Sequence, residues 1–317
     1  MEDYPRTLME FEKRFTAEAS CRDYLFQVRW PRGFRCPRCR HGKAWPIGYV
    51  LYQCAECGYR TSVIAGTIFQ DTHTPLAVWF RAIWWVVSQK NGASALGLQR
   101  ILGLGSYQTA WTWLHKLRRA MVRPGRDRLS GKVEVDETYP GALEEGVRGR
   151  GAKTKTLLVV AAEEVGRGVG RIRMKQVSDA SAASLHPFVE ESIKPGSVIH
   201  TDGWAGYSGL ELKGYDHEPI VLKRYQASAS ELLPRVHRVV SLLKRWLMGT
   251  HQGAVSHAHL DYYLDEFTFR FNRRTSRYRG KLFYRLIQQA VTTDPKPYKY
   301  LLEHVRDRRR RQPDGTR

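Results

Sequence analysis

The chain has 317 residues, with 52 Lys or Arg against 31 Asp or Glu, so its formal net charge is +21. Hydrophobic residues make up 42% of the sequence, which is enough for a folded core and excludes a disordered basic tail. No apolar run approaches the ~18 residues of a membrane span, and the charged N-terminus is not a signal peptide, so we expect a cytoplasmic protein with reduced cysteines. This charge predicts a polyanionic partner, nucleic acid before membrane.

Four of the five cysteines form two pairs with the spacing of a metal site. The pairs are Cys36 with Cys39 and Cys54 with Cys57. Each pair lets two thiolates bind one ion, and two pairs complete a tetrahedral zinc site that has no open position. Short strands are predicted at 44–48 and 49–53, between the pairs. We therefore predict a structural zinc ribbon within residues 1–68, with one zinc per chain, and an ordinary buried thiol at Cys21.

Residues 69–123 carry helical periodicity. Helices are predicted from Pro75 to Val87, at 94–102, and from a capping Ser106 to Arg119. The outer side of the last helix carries Tyr107, Gln108, Thr109, Thr112 and Lys116. Two helices joined by a short glycine-containing turn are typical of a helix-turn-helix, although a plain packing unit has the same pattern. The positive charge and the preceding ribbon favour a DNA-binding block.

A polar linker at 123–131 leads to a second domain. Strands are predicted at residues 132–138, 156–162, 171–177 and 197–203. A Gly/Lys/Arg loop is expected at 148–155, and a helix at 181–192. Three antiparallel strands, a helix and a further strand follow the order of an RNase H-like sheet, so the predicted fold class is α/β with an RNase H-like domain.

Two aspartates stand at the ends of predicted strands. Asp136 lies near the end of the 132–138 strand, and Asp202 lies near the end of the 197–203 strand. Either residue alone could simply cap a turn. In an RNase H-like sheet, however, acids from different strand ends meet at one point, and oxygen ligands suit Mg²⁺. The pair therefore predicts a magnesium site for phosphodiester chemistry.

The last third of the chain reads as helical. A long helix is predicted from Pro234, with His237 and Lys244 on one face because they are seven residues apart. A second amphipathic helix at 257–273 is expected to cover the sheet. It carries Glu266, whose simplest role is an ion pair with Arg270.

Two basic segments follow. Asn272–Arg274 could contact DNA or only complement a helix end. The tail at 291–317 is expected to be disordered near its end and to contact phosphates without specificity.

Four segments together carry a family resemblance. They are DETYPGA (136–142), HTDGWAGY (200–207), HRVVSLLKRWLMGTHQG (237–253) and HLDYYLDEFTFRFNRR (259–274). In this order they resemble DDE-type insertion-sequence transposases of the ISXO type, which carry an N-terminal zinc ribbon. The resemblance covers almost the whole chain. It implies an RNase H-like catalytic domain at 131–290, Mg²⁺-dependent cutting and joining of DNA, and binding of terminal inverted repeats.

The resemblance also assigns residues. Asp136 and Asp202 match the first two catalytic acids, and His237 occupies a third position that is usually Glu, with Lys244 seven residues later. Asp136 is expected to bridge two Mg²⁺ ions, Asp202 to hold one, and His237 to hold or orient around the other. Mn²⁺ is expected to substitute, because imidazole suits it better than Mg²⁺. Lys244 is expected to neutralise a phosphate near the scissile bond. Glu231 and then Glu266 are the alternatives to His237.

The expected partner is double-stranded DNA, both as terminal inverted repeats and as target, bound by at least a dimer and without a membrane. Two other functions fit the sequence. A DNA-binding regulator with a decayed nuclease domain is favoured by the non-acidic third position. A structure-specific nuclease would cut but never join. Tyr139 as a recombinase nucleophile is rejected, because no set of Arg and His residues surrounds it in the sequence.

Overall fold

The computed structural model describes residues 2–123, 125–140, 156–220, 229–253 and 255–302, without the side chains of 229, 230 and 257. The chain forms two compact units: a first unit of 1–123 with 275–317, and a second unit of 124–274. The predicted loop at 148–155 and the tail beyond 302 lie outside the described residues. No helix among the described residues is both long and apolar enough to span a bilayer.

The first unit begins with two helices, a small sheet and three more helices. Its elements are α1 (Leu8–Arg14), α2 (Glu18–Arg29), β1 (Ala44–Ile47), β2 (Leu51–Cys54), β3 (Arg60–Ser62), α3 (Leu76–Ser88), α4 (Ala95–Leu102) and α5 (Tyr107–Ala120). The two predicted ribbon strands are β1 and β2, and β3 adds a third antiparallel strand that the sequence had not indicated. Helices α4 and α5 begin where expected, because the Ser94 and Ser106 hydroxyls accept N–H groups of their first turns.

Helix α3 forms the centre of the first unit. Its Trp79 and Phe80 are completely buried. Trp79 stacks on Trp113 of α5 with 3.7 Å between ring centroids and 14° between ring planes. Phe11 of α1 stacks on Trp84 of α3 at 4.7 Å. The apolar stripe that predicted α3 therefore packs against helices on both sides.

The second unit is a five-stranded mixed sheet with helices on both faces. Its elements are β4 (Lys132–Thr138), β5 (Leu157–Val165), β6 (Gly168–Val177), α6 (Ala182–Ser192), β7 (Val198–Thr201), β8 (Asp216–Pro219), α7 (Ala229–Leu232), α8 (Pro234–His251) and α9 (Leu260–Phe271). The strand order is β6-β5-β4-β7-β8. Strands β4, β5 and β6 pair antiparallel, whereas β7 pairs parallel with both β4 and β8. This arrangement confirms the predicted RNase H-like α/β fold.

The two faces of this sheet bury different clusters. On one face, α8 and α9 cover β5 residues such as Val160. On the other face, α6 covers Val133 and Val135 of β4. Because side chains alternate along a strand, Glu134 and Asp136 point to the face that carries α8.

The edge strand β6 is closed by residues just after α9. The side-chain oxygen of Asn272 accepts the Ile172 N–H at 2.8 Å, and its amide nitrogen donates to the Ile172 carbonyl at 3.2 Å. Arg274 donates to the carbonyl of Gly170 at 3.3 Å. These contacts give Asn272 and Arg274 a structural role in protecting an otherwise open sheet edge.

Helix α10 (Arg279–Ala290) belongs to the first unit. Its Phe283 is completely buried, with ring centroids 5.4 Å from Phe11 and 5.5 Å from Phe80. The predicted catalytic domain, 131–290, includes this helix, whereas the compact second unit ends at Arg274. The difference arises because the apolar stripe of α10 packs on the first unit's helices. The amino-acid composition does not change at residue 274, so the sequence does not mark this boundary.

Candidate functional site

The four paired cysteines converge in the small sheet of the first unit. Their sulfur atoms all lie within 4.8 Å of one another. The Sγ–Sγ distance is 3.6 Å between Cys36 and Cys57 and 3.5 Å between Cys39 and Cys54. Tetrahedral zinc with Zn–S bonds of about 2.3 Å requires sulfurs about 3.8 Å apart, so the donor set fits zinc and is far too open for disulfides.

The backbone repeats itself around the two cysteine pairs. Cys36 and Cys54 each accept, through their carbonyl, an N–H four residues later, from Arg40 and Gly58. Both donors adopt a positive φ, 64° for Arg40 and 67° for Gly58. Glycine tolerates this conformation without strain, so Gly58 suits its position after the second cysteine pair. Two equivalent knuckles therefore face one point, which is how a ribbon surrounds one structural ion.

A second cluster, here called the acidic centre, lies at one edge of the five-stranded sheet. Asp136 is near the C-terminal end of β4, and Asp202 directly follows β7. Because β4 and β7 are parallel neighbours, their C-terminal ends reach the same edge. One carboxylate oxygen each from Asp136, Glu137 and Asp202 lies within 4.8 Å of the others. The predicted meeting of Asp136 and Asp202 is therefore present in the structure.

Glu137 was missed by sequence reasoning. Adjacent residues of a strand point to opposite faces, so Glu137 is not expected beside Asp136. The register follows that rule, because Asp136 lies opposite Val160 and Glu137 lies opposite Val159. At the end of β4, however, both carboxylates reach the acidic centre. The available signal was an acidic pair one residue before the Tyr-Pro-Gly sequence that follows the strand.

Each aspartate of the acidic centre also shapes its own backbone. Asp136 Oδ1 accepts the Glu137 N–H at 2.8 Å. Asp202 Oδ1 accepts the Trp204 N–H at 3.0 Å, which is a turn-capping contact. The turn interpretation and the metal interpretation of Asp202 are therefore compatible, since the turn holds the carboxylate at the acidic centre.

His237 lies beside the acidic centre, in the first turn of α8. Its Nε2 is 3.6 Å from Asp136 Oδ2. Partial burial lowers the pKa of His237 below 6.5, aided by the positive charge of Lys244 and opposed by the carboxylates of Glu134 and Asp202. At neutral pH the imidazole is consequently neutral, which is the form that can bind a metal.

The other candidate residues lie elsewhere on the second unit. Lys244 is exposed on α8, two turns beyond His237. Glu231 is an exposed residue of α7, and Glu266 is completely buried in α9. Among the described residues, the group of three close carboxylates contains neither Glu231 nor Glu266.

The α4–α5 segment of the first unit, predicted as a helix-turn-helix, exposes only part of the predicted outer side. Tyr107 is 53% exposed, and Gln108 is also exposed. Thr109 is used locally, because its hydroxyl lies 2.9 Å from the Ser106 hydroxyl in the helix cap. Lys116 is half-buried, and this burial lowers its pKa. The N-terminal turn of α5 is thus the part that is open to a partner.

Comparison with known proteins places both centres in known domains. Residues 16–60 match the transposase zinc-ribbon domain, and residues 128–272 match the ISXO2-like transposase domain. Both matches are to transposase domains, one over the cysteine cluster and one over the acidic centre. An uncharacterized protein in transposable element ISH50 of Halobacterium salinarum is 27% identical over 279 residues, covering 81% of this chain and 92% of that protein.

Proposed function

We propose that this protein is a transposase that binds the terminal inverted repeats of an insertion sequence, cuts the DNA strand at the element end and joins that end to target DNA. The observation that carries the proposal is the meeting of three carboxylates from two parallel strand ends in the matched transposase domain. The excess positive charge and the zinc-ribbon domain support DNA as the substrate.

The acidic centre has the donor chemistry of a Mg²⁺ site. Asp136, Glu137 and Asp202 offer only oxygen ligands, which Mg²⁺ prefers. We propose that Asp136, Asp202 and Glu137 would each contribute a carboxylate to the bound metal, with His237 beside Asp136 as a nitrogen ligand that would also admit Mn²⁺. When bound, such ions stabilise negative charge on the attacking and leaving oxygens of the phosphodiester.

The protein side chains then position the DNA. Neutral His237 lies against Asp136, so it can orient a ligand without adding a proton at neutral pH. Exposed Lys244 lies about 10 Å further along the same helix face, where a phosphate next to the scissile bond would reach it. The ribbon and the α4–α5 segment would hold the repeat sequence, since the exposed Tyr107 and Gln108 begin α5.

The two alternative functions predict different behaviour. The non-acidic third position favours the regulator hypothesis, whereas Glu137 supplies a third carboxylate close to the two aspartates. The structure-specific nuclease has the same acidic centre but no joining step. Because cutting and joining can share one set of carboxylates, we favour the transposase.

A strand-transfer assay separates these functions. Purified protein is incubated with an end-labelled terminal-repeat duplex, supercoiled target plasmid and Mg²⁺. We expect labelled plasmid to form, and we expect a scrambled repeat, EDTA or Asp136→Asn to prevent it. Cleavage without transfer would indicate a nuclease, and repeat binding without cleavage would indicate a regulator.

Two element ends must be brought together before joining, so we also propose that at least a dimer assembles on DNA. Light scattering of the protein with and without repeat duplex tests this assembly. A complex holding one chain and one duplex, under conditions that support transfer, would contradict it.

A further inference from the structure

A layer of charged side chains lies directly behind the acidic centre. Glu134, His200 and Arg235 each stand two positions before a site residue, namely Asp136, Asp202 and His237. Residues i and i+2 of a strand share a face, so Glu134 lies on the same side of β4 as Asp136. Glu134 and His200 are register partners in the parallel pair β4 and β7. The layer therefore links the elements that carry the proposed site.

Glu134 caps the helix that carries His237. It is a strand residue with only 1% exposure. Its Oε2 accepts the backbone N–H groups of Arg235 and Val236, each at 2.8 Å, and its Oε1 accepts the Arg235 guanidinium at 2.9 Å. Helix α8 has no capping side chain of its own at Leu233. A carboxylate from another element thus satisfies donors that the helix terminus leaves open and complements its positive dipole end.

Arg235 extends the layer to the neighbouring strands. Its guanidinium lies 3.4 Å from Glu164 of β5. Glu164 in turn lies 2.9 Å from His200 Nδ1, and His200 Nε2 lies 2.8 Å from Glu218 of β8. Along this path carboxylates alternate with an arginine and a histidine, so each carboxylate lies beside a nitrogen group with which it can form a hydrogen bond or an ion pair.

We propose that Glu134 is a positioning residue for the cleavage reaction. By locking the first turn of α8 to β4, it holds His237 within 3.6 Å of Asp136. His237 is only about 3 Å along the helix axis from Arg235, so a shift of the capped turn moves its imidazole by a comparable distance. This inference rests on the proposed cleavage of DNA, to which Glu134 contributes without touching the reacting atoms.

The test is a double-mutant cycle between Glu134→Gln and His237→Ala, measured by terminal-repeat cleavage and by Mn²⁺ binding in calorimetry. Glutamine keeps the size of the side chain but places an amide nitrogen against the donors of α8. We expect Glu134→Gln to lower cleavage about 10- to 100-fold and to weaken Mn²⁺ binding. In the His237→Ala background it should change either quantity less than about twofold, because the group it positions is already absent.

Glu163→Gln is the matched control. Glu163 is also buried in the sheet, and it likewise accepts two backbone N–H groups, those of Ser130 and Arg171, and the Arg171 guanidinium. It lies opposite Val133, on the face away from α8. We expect this variant to lose thermal stability as Glu134→Gln does while its cleavage and Mn²⁺ binding stay within about twofold of wild type.

The outcomes are distinguishable. Additive losses in the double variant, or a folded Glu134→Gln protein with wild-type cleavage, would overturn the positioning role and leave the transposase function standing. Wild-type cleavage by His237→Ala alone would overturn it as well. Absence of cleavage by the wild-type protein would overturn the proposed function. In that case the Mn²⁺ binding data alone would decide the positioning role. The role would be retained only if both single variants lost Mn²⁺ binding equally and the double variant lost no more.

Discussion

The zinc ribbon and the acidic centre are both suited to metals, but they are built in opposite ways. All four ribbon ligands come from residues 36–57, and each pair is preorganised by its own turn. The acidic centre joins residues 136–137 to residue 202, which only the pairing of β4 with β7 brings together. The first has a closed thiolate set that suits structure, whereas the second has partly exposed carboxylates that suit chemistry. The spacing of the cysteines in the sequence therefore identifies the ribbon, whereas the acidic centre can be identified only from the sheet topology.

Removing an aspartate from the acidic centre should have the largest effect. Asp136→Asn and Asp202→Asn each delete a negative ligand, so we expect cleavage to fall by roughly 10³-fold, equivalent to about 4 kcal/mol. Binding to the repeat should change less than about twofold, because neither residue is proposed to contact phosphate. Single-turnover cleavage and gel-shift titrations measure the two quantities, and a variant that retains Mg²⁺-dependent cleavage would remove its residue from the centre.

Breaking the ribbon should reverse this pattern. Cys39→Ser removes one of four thiolates, and structural zinc contributes on the order of 10 kcal/mol to such modules. We expect no bound zinc, an unfolded ribbon and repeat binding weaker by roughly tenfold or more. Metal analysis and gel shifts test this, with Cys21→Ala as the control, since Cys21 is buried outside the cluster. A folded, zinc-free ribbon in Cys39→Ser would contradict the assignment.

A comparison of His237→Ala with Glu231→Ala tests which of these residues occupies the third position of the family motif. His237 lies 3.6 Å from Asp136, whereas Glu231 is not in the close acidic group. We expect cleavage to fall about 10- to 100-fold in His237→Ala and to remain near wild type in Glu231→Ala. His237→Glu should recover part of the activity, because it restores a carboxylate of similar reach. The reverse result, with only Glu231→Ala inactive, would assign the ligand to Glu231.

Glu137 offers a finer test of how the acidic centre is assembled. If its carboxylate contributes to Mg²⁺ binding, Glu137→Gln should cleave about tenfold more slowly at limiting Mg²⁺ and recover at high Mg²⁺. The measurement is the Mg²⁺ dependence of cleavage, compared with that of Glu163→Gln. An unchanged Mg²⁺ requirement would limit the centre to Asp136, Asp202 and His237.

The smallest expected effect concerns a carboxylate outside both the cysteine cluster and the acidic centre. Burial raises the pKa of Glu163, but its bonds to Arg171 and Ser130 outweigh this and hold it below 4.5. Its ionised form therefore stabilises the second unit above pH 4.5, and this contribution is lost as the pH falls through the lowered pKa. Because Arg171 is partly exposed, we expect only about 1 kcal/mol. Thermal melts should depend less on pH below 4.5 in Glu163→Gln, and equal slopes would contradict this.

The parts of the structure that sequence anticipates are those with local causes. Helices α4 and α5 begin at serines that cap them, and β4 alternates along its own length. Strand β8, with the sequence Asp-His-Glu-Pro, has no apolar pattern and is defined only by pairing with β7. Glu137 was missed for a related reason. Strand alternation places it on the opposite face from Asp136, but at the end of the strand both carboxylates reach the same centre. The capping of α8 by Glu134 spans a hundred residues and leaves no local signal.

The packing of α10 has a consequence for biosynthesis. Phe283 lies among Phe11, Phe15, Phe80 and Trp84, all of which precede it by about two hundred residues or more. A ribosome therefore releases the whole second unit before it releases the helix that completes the first unit's core. Until then the aromatic residues of α1 and α3 lack this partner. Any product truncated before α10 would keep every proposed catalytic residue while leaving the core of its zinc-bearing unit incomplete.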